Sequence, residues 1–397
     1  MKRKTIVALA LTFLMALSLV ACGTPASSSA PASTPAGSST PESTPASTPE
    51  STPESTGGAD GYEIALITDI GTIDDKSFNQ GAWEGVVQYA EENNITHKYY
   101  QPTEKTDDAY LAGIDLAVEG GAKIIVTPGY LFEVPIFIAQ ETYPDVTFIL
   151  IDGSPHNADY SEFLTADNTV GITYAEEQAG YLAGYAAVKD GNTKLGFMGG
   201  MAVPAVVRFG YGYIQGADAA AQEMGLGAGS ITMNYYYTGD FVATPEIQTM
   251  SASWYDNDGV EVIFGCGGAV GNSVMAAAQA SDKKVIGVDV DQSGESPTVI
   301  TSAMKELAIS VYDTLTNYYA GSFPGGQNLI FSAENDGVGL PWGSSKFETF
   351  TQADYDAIYA KLADGSITIV KDTDADGNEV KVEDVPTTAV VVTNLNA

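Results

Sequence analysis

Apolar residues along this chain come in short runs that alternate with helix-spaced patterns. YEIALITDI (62–70) is a continuous apolar run ending in polar residues, as expected of a strand buried on both faces of a parallel sheet. A helical pattern follows from Phe78 to about Glu92. KIIVTPG (123–129) and VTFILID (146–152) read as the second and third strands, and helical patterns at 107–120 and 131–142 separate the three. The rhythm repeats after residue 170. Residues 171–190, rich in Ala and Tyr, read as a helix, TKLGFMGG (193–200) as a strand and 203–224 as a long helix. VEVIFGCGG (260–268) and KKVIGVDVD (283–291) are strands flanking a helix at 271–280. TVITSAM (298–304) leads into a last large helix at 304–320. Strands alternating with helices imply α/β architecture, with parallel sheets and right-handed crossovers. Two such runs imply two doubly wound domains of similar build.

The N-terminal residues do not share this rhythm. MKRKTIVALALTFLMALSLVAC opens with Lys2, Arg3 and Lys4, and residues 5–20 are apolar, the layout of a secretory signal peptide. Leu19-Val20-Ala21-Cys22 resembles the lipobox of bacterial lipoproteins. The resemblance implies that residues 1–21 are removed and that the Cys22 thiol carries diacylglycerol, a lipid anchor in the membrane. Residues 24–60 hold almost nothing but Ser, Thr, Pro, Ala, Gly and Glu, with no aromatic side chain to seed a core. The segment 22–60 therefore reads as the lipidated cysteine plus a disordered tether. Fully extended in the polyproline manner, at ~3.1 Å per residue, residues 24–60 would reach roughly 115 Å.

Residues 61–397 are too many for one ordinary core and suit two domains. The expected division is a first lobe at 61–168, to which 298–330 return, a second lobe at 169–297, and a C-terminal segment, 331–397, packing on the lobes. The formal net charge of −34 makes nucleic acid and anionic lipid poor partners. With Cys22 lipidated, only Cys266 remains, so no intramolecular disulfide is available. Its apolar surroundings suggest a buried, inert thiol.

In open parallel sheets, ligands bind beyond the carboxyl ends of the strands. The residues that follow the strands are chemically distinctive. After the first come Asp74, Asp75, Ser77, Phe78 and Asn79. Ser77 and Gln80 have capping-box spacing, which starts the helix there. After the third comes Asp152. The second half contributes Phe241, the glycines 265, 267 and 268, Asp289, and Lys305 on the first turn of the last large helix. Aromatic faces grip a flat ring, while carboxylates and a lysine hold hydroxyls. Enzyme chemistry has little support. His97 and His156 are the only histidines and complete no Ser-His-Asp set. Ser302-x-x-Lys305 lacks its partner motifs, no phosphate-binding Gly-Lys loop occurs, and no cofactor is called for.

IALITDIGTIDDKSFNQGAWEG, RFGYGYIQGA, VIGVDVDQ and TSAMK together resemble the basic membrane protein family, bacterial lipoproteins that serve ABC transporters as substrate-binding proteins. The resemblance covers about Tyr62 to Ile369. It implies a type I periplasmic-binding-protein-like fold, two lobes joined by a hinge of three crossings. It further implies a nucleoside ligand, with a purine the favoured base, and a permease partner. By motif the base lies between Phe78 and Phe241, the ribose meets Asp289 and Lys305, and Asn79 and Asp152 lie near the base edge. Asp75, Gly265 and Gly267 complete the expected contacts. The protein would act as a monomer. The alternatives are a sugar or autoinducer binder of the same fold, or an enzyme that hydrolyses nucleosides. A further motif stands outside the resemblance: Asp372, Asp374, Asp376 and Glu383 have the spacing of a calcium loop. Their strand-like flanks favour an acidic β-hairpin turn instead.

Overall fold

The computed structural model describes residues 61–396; the signal peptide, Cys22 and the tether lie outside them. The first half of the chain runs β1 (Ile64–Ile67), α1 (Phe78–Asn93), β2 (His97–Tyr100), α2 (Asp107–Glu119), β3 (Ile124–Pro128), α3 (Glu133–Thr142), β4 (Thr147–Ile151) and β5 (Thr169–Tyr174). The second runs α4 (Glu176–Lys189), β6 (Lys194–Gly199), α5 (Pro204–Glu223), β7 (Ile231–Tyr237), α6 (Pro245–Ser253), β8 (Val262–Cys266), α7 (Val270–Ser281), β9 (Lys284–Asp289) and β10 (Val299–Lys305). Then come α8 (Leu307–Tyr319), β11 (Gln327–Phe331), β12 (Val338–Gly339), α9 (Gln352–Ala363) and β13 (Val390–Asn394).

Two sheets result, ordered β11-β5-β4-β3-β1-β2 and β12-β10-β9-β8-β6-β7-β13. Every pairing is parallel except β12 on β10. Five adjacent strands in each sheet, β5-β4-β3-β1-β2 and β10-β9-β8-β6-β7, follow the same doubly wound order, so the two lobes repeat one plan. The inner strands β1, β3 and β4 alternate between two cores, which is why their sequences are apolar almost without a break. Ile67, Ile125 and Phe148 face Ile114 and Ile136 on α2 and α3. Leu66, Val126 and Ile149 face the opposite core, with Val86 of α1 and Val311 of α8.

The chain passes between the sheets three times: from β5 to α4 at Ala175, from β10 to α8 at Glu306, and from β11 to β12 through residues 332–337. The lobe boundaries differ from those expected. Thr169–Tyr174 is not the start of a helix but strand β5, because its alternating Thr, Val, Ile and Tyr side chains fill both faces of the first sheet. The first crossing thus falls after Tyr174. Val299–Lys305 stays in the second sheet beside β9, so the return begins at α8, and Lys305 is the last residue of a strand instead of a helical first turn.

Beyond the third crossing, β12 and β13 both join the second sheet. Two buried aspartates fasten this segment. Asp190 Oδ1 accepts the amides of Glu348, Thr349 and Phe350. Asp218 Oδ1 accepts those of Thr388, Ala389 and Val390. The acidic motif forms a tight turn closed by a Thr373–Glu379 bridge, without strands at SITIV or EVKV. Asp374 accepts the amides of Asp376 and Asn378, Asp372 pairs with Arg208, and Glu383 accepts from Asn394. These carboxylates serve separate partners and converge on no common point.

Candidate binding cleft

The carboxyl ends of both sheets face one cavity of about 200 Å3. The first lobe lines it with Asp69, Asp75, Phe78, Asn79, Tyr130, Leu131 and Asp152. The second contributes Val203, Val206, Phe209, Phe241, Gly267, Val288, Asp289 and Lys305. The topology brings these distant segments together, because they lie at the carboxyl ends of strands or in the loops and first helical turns that follow them.

Lys305 anchors the floor. Its Nζ lies 2.6 Å from Asp152 Oδ2, 3.4 Å from Asp289 Oδ1 and 4.0 Å from Glu176 Oε1. It also sits over the Phe78 ring, 4.4 Å from the centroid, with Tyr174 and Phe209 at 5.4 and 5.6 Å. Burial alone would push its proton off, but the three carboxylates outweigh burial and hold the ammonium well above the usual lysine range. The same burial raises Asp152, against the pull of Lys305. Glu176 is pushed up to about 8 by burial and by Asp152, against Lys305 and Arg208. Lys305 thus sits among three acidic side chains, of which Glu176 is driven furthest toward its neutral form. Asp152 Oδ1 is buried with no hydrogen-bond partner among the described residues, an acceptor turned to the site.

Asp152 and Asp289 occupy equivalent places, each just past or at the end of the fourth strand of its sheet. Both have left-handed backbones, with φ of 60° and 68°. A non-glycine residue held there stores strain, and the two carboxylates are thereby aimed from opposite lobes at one lysine. Asp289 is fixed further by Ser77, whose hydroxyl donates to Oδ2 across the lobe boundary. Ser77 therefore is not a capping-box residue. Asp75 performs that duty, accepting the amides of Ser77, Asn79 and Gln80 at the start of α1. Burial raises Asp75 to about 6 despite these amides. Asp75 lines the cavity, but its oxygens are committed to the helix.

Asn79 donates to Asp69 Oδ1 and Asp75 Oδ2. Phe78, on the same first turn, presents its ring to the cavity. Phe241 lies against Gly200 and Gly267, where a Cβ would collide with its ring or with backbone, and so keeps one face toward the cavity. Gly267, with φ of 141°, needs to be glycine on both counts. Gly265 does not reach the cavity: its missing Cβ makes room for Gly271 and Val274 of α7. Cys266 lies in the wall, its thiol pushed well up by burial.

The structure adds three residues that the sequence patterns left unassigned. Asp69 lies two residues past the end of β1 and was discoverable by position. Glu176 and Arg208 were not, since an acid in a first helical turn and an arginine on a long helix are ordinary surface features. Here Arg208 bridges Glu176, at 3.7 Å, to Asp372, at 2.6 Å.

Residues 63–372 match the family described as PnrA-like ABC transporter substrate-binding proteins, Bmp. The ABC transporter nucleoside-binding protein BmpA of Lactococcus lactis subsp. cremoris is 31% identical, over 70% of this chain and 80% of the relative. Basic membrane protein A1 of Borrelia garinii subsp. bavariensis is 30% identical, over 70% and 79%. Among solved structures, an ABC transporter solute-binding protein from Aeropyrum pernix K1 superposes with a TM-score of 0.68 at 23% identity, covering 79% of this chain and 95% of that one. That likeness concerns the fold, and it matches the two-lobed plan described above.

Proposed function

Because the chain belongs to the Bmp family of PnrA-like ABC transporter substrate-binding proteins, we propose that its cleft captures a nucleoside, preferentially a purine one, and delivers it to a membrane permease for import. The observation that carries the reading is the single cavity holding Phe78 and Phe241 together with the Asp152–Lys305–Asp289 cluster. Two phenyl faces suit a flat base, and the charged cluster suits vicinal hydroxyls, which donate to carboxylate oxygens and accept from the ammonium. Asn79 and Asp69 line the same cavity, with the Asn79 amide given to Asp69 and Asp75. The printed name of the Lactococcus relative supports the same ligand class.

Binding proceeds by lobe closure about the three crossings, with no bond made or broken. The carboxylates are spent on Lys305 and on helix amides, which favours holding a ligand over activating water. Proteins of this family work outside the cytoplasm. The lipobox at Leu19–Cys22 supports anchoring through lipid on Cys22, with the head acting as a monomer on the tether. Among the described residues no helix is long and apolar enough to cross a membrane.

Calorimetry of the purified protein against inosine, guanosine, adenine and ribose tests the reading, with chromatography to detect free base. Expected are nucleoside affinities well below millimolar, much weaker binding of ribose and base alone, and no release of base. Ribose binding as tight as inosine would replace this reading with a sugar binder. Liberated base would replace it with a hydrolase.

A further inference from the structure

One ion pair reaches from lobe to lobe beside the aromatic clamp. Lys105, in the loop between β2 and α2, places its Nζ 2.9 Å from Asp240 Oδ2, in the loop between β7 and α6. The other oxygen of Asp240 accepts the amide of Phe241 at 2.7 Å, and its carbonyl accepts the Thr238 hydroxyl. Phe241 in turn accepts the amide of Ala269 through its own carbonyl, and its ring lies on Gly200. One carboxylate therefore grips the opposite lobe with one oxygen and fixes the backbone of the clamp with the other.

We propose that Lys105 and Asp240 form a latch across the cleft that closes when the lobes meet, sets the Phe241 ring against the bound base and slows ligand release. Asp240 is a positioning residue, and Lys105 supplies the charge it needs from the far lobe. The proposal rests on the nucleoside reading of the cleft. Both side chains are partly exposed, at 31% and 44%, so the latch is weakened by salt and its effect is modest.

Stopped-flow release of inosine from the full-length protein tests the latch, in wild type, Lys105→Ala, Asp240→Asn, the double variant and the charge-reversed pair Lys105→Glu with Asp240→Lys. Each single variant should release inosine about two- to fivefold faster, as expected for a partly exposed pair. The double variant should be no faster than the singles, and the reversed pair should recover part of the loss. Wild-type release should quicken with salt, whereas release from the single variants should not. Single variants within wild-type error, or additive effects in the double, overturn the latch. If wild type binds no nucleoside, the reading of the site fails. The latch is then judged by hydrogen exchange of the same proteins without ligand. Lys105→Ala should raise exchange across residues 238–243 in the opposite lobe, and unchanged exchange there overturns it.

Discussion

At Asp152 and Asp289 the chain accepts two left-handed backbones in order to aim two carboxylates at Lys305. The acceptors and the ammonium hold one another, so each has a partner before any ligand arrives. The aromatic side of the cavity is simpler, since a ring offers area and little else. Base–aromatic stacking is worth ~1–3 kcal/mol per base, so Phe78→Ala should weaken nucleoside binding about ten- to a hundredfold. Calorimetry should show that loss for inosine and little change for ribose. Glu176 gives a prediction in pH. Its carboxyl is raised from 4.5 to about 8, chiefly by burial, so the folded protein binds its proton more tightly than the unfolded chain does. That contribution to stability is complete below the unfolded value and is lost as pH rises through 8. Glu176→Gln removes the ionisation, so thermal melts should show it gaining on wild type between pH 6 and 9. Parallel melting curves for the two proteins across that range would contradict the assignment. The sequence made Phe78, Asp152, Asp289 and Lys305 legible because they follow strand ends. It could not reveal Glu176, since only the fold carries that first helical turn under Lys305.

Elements were legible where both faces of a strand are buried. The edge strands β2, β11 and β13, and β7 beside β13, are partly exposed and lack a continuous apolar run, so the sequence did not announce them. β5 was hidden differently, because TVGITY runs directly into the alanine- and tyrosine-rich helix α4. That helix crosses α5 at very close range. Gly180 and Gly184 meet the backbone of Phe209 and Tyr213, while Gly212 and Gly216 meet that of Glu177 and Tyr181. The reciprocal spacing of four lets each helix sink into the other, and it places Glu176 of α4 beside Arg208 of α5. A methyl group on Gly216 would run into the Tyr181 carbonyl, which belongs to backbone and cannot swing aside. Gly216→Ala should therefore force the helices apart and cost at least ~1–3 kcal/mol, the range for overpacked cores. Denaturant unfolding should show a lower midpoint with an unchanged slope. A midpoint equal to wild type would mean that the crossing is looser than its geometry implies.

On the proposed reading, capture and attachment belong to different parts of the sequence. The cleft is built entirely within residues 69–305, and every lining residue belongs to the two lobes. The cysteine proposed to carry lipid stands at position 22, before a Ser-, Thr- and Pro-rich stretch with no aromatic residue. The chain's net charge of −34 gives it no attraction to an anionic membrane, so under the proposed lipidation of Cys22 the acyl chains would hold it there, at ~0.8 kcal/mol per buried methylene. Cys22→Ala should then move the protein from the membrane fraction to the soluble one. Its affinity for nucleoside should remain that of wild type, because nothing that lines the cavity has changed. Fractionation after a salt wash, followed by calorimetry on the released protein, checks both halves. A variant still held by the membrane would place the anchor elsewhere in the chain. A released variant with altered affinity would mean that the tether contributes to the cleft. Release with affinity intact is the outcome expected if the N-terminal residues serve attachment and the cleft residues alone hold the ligand.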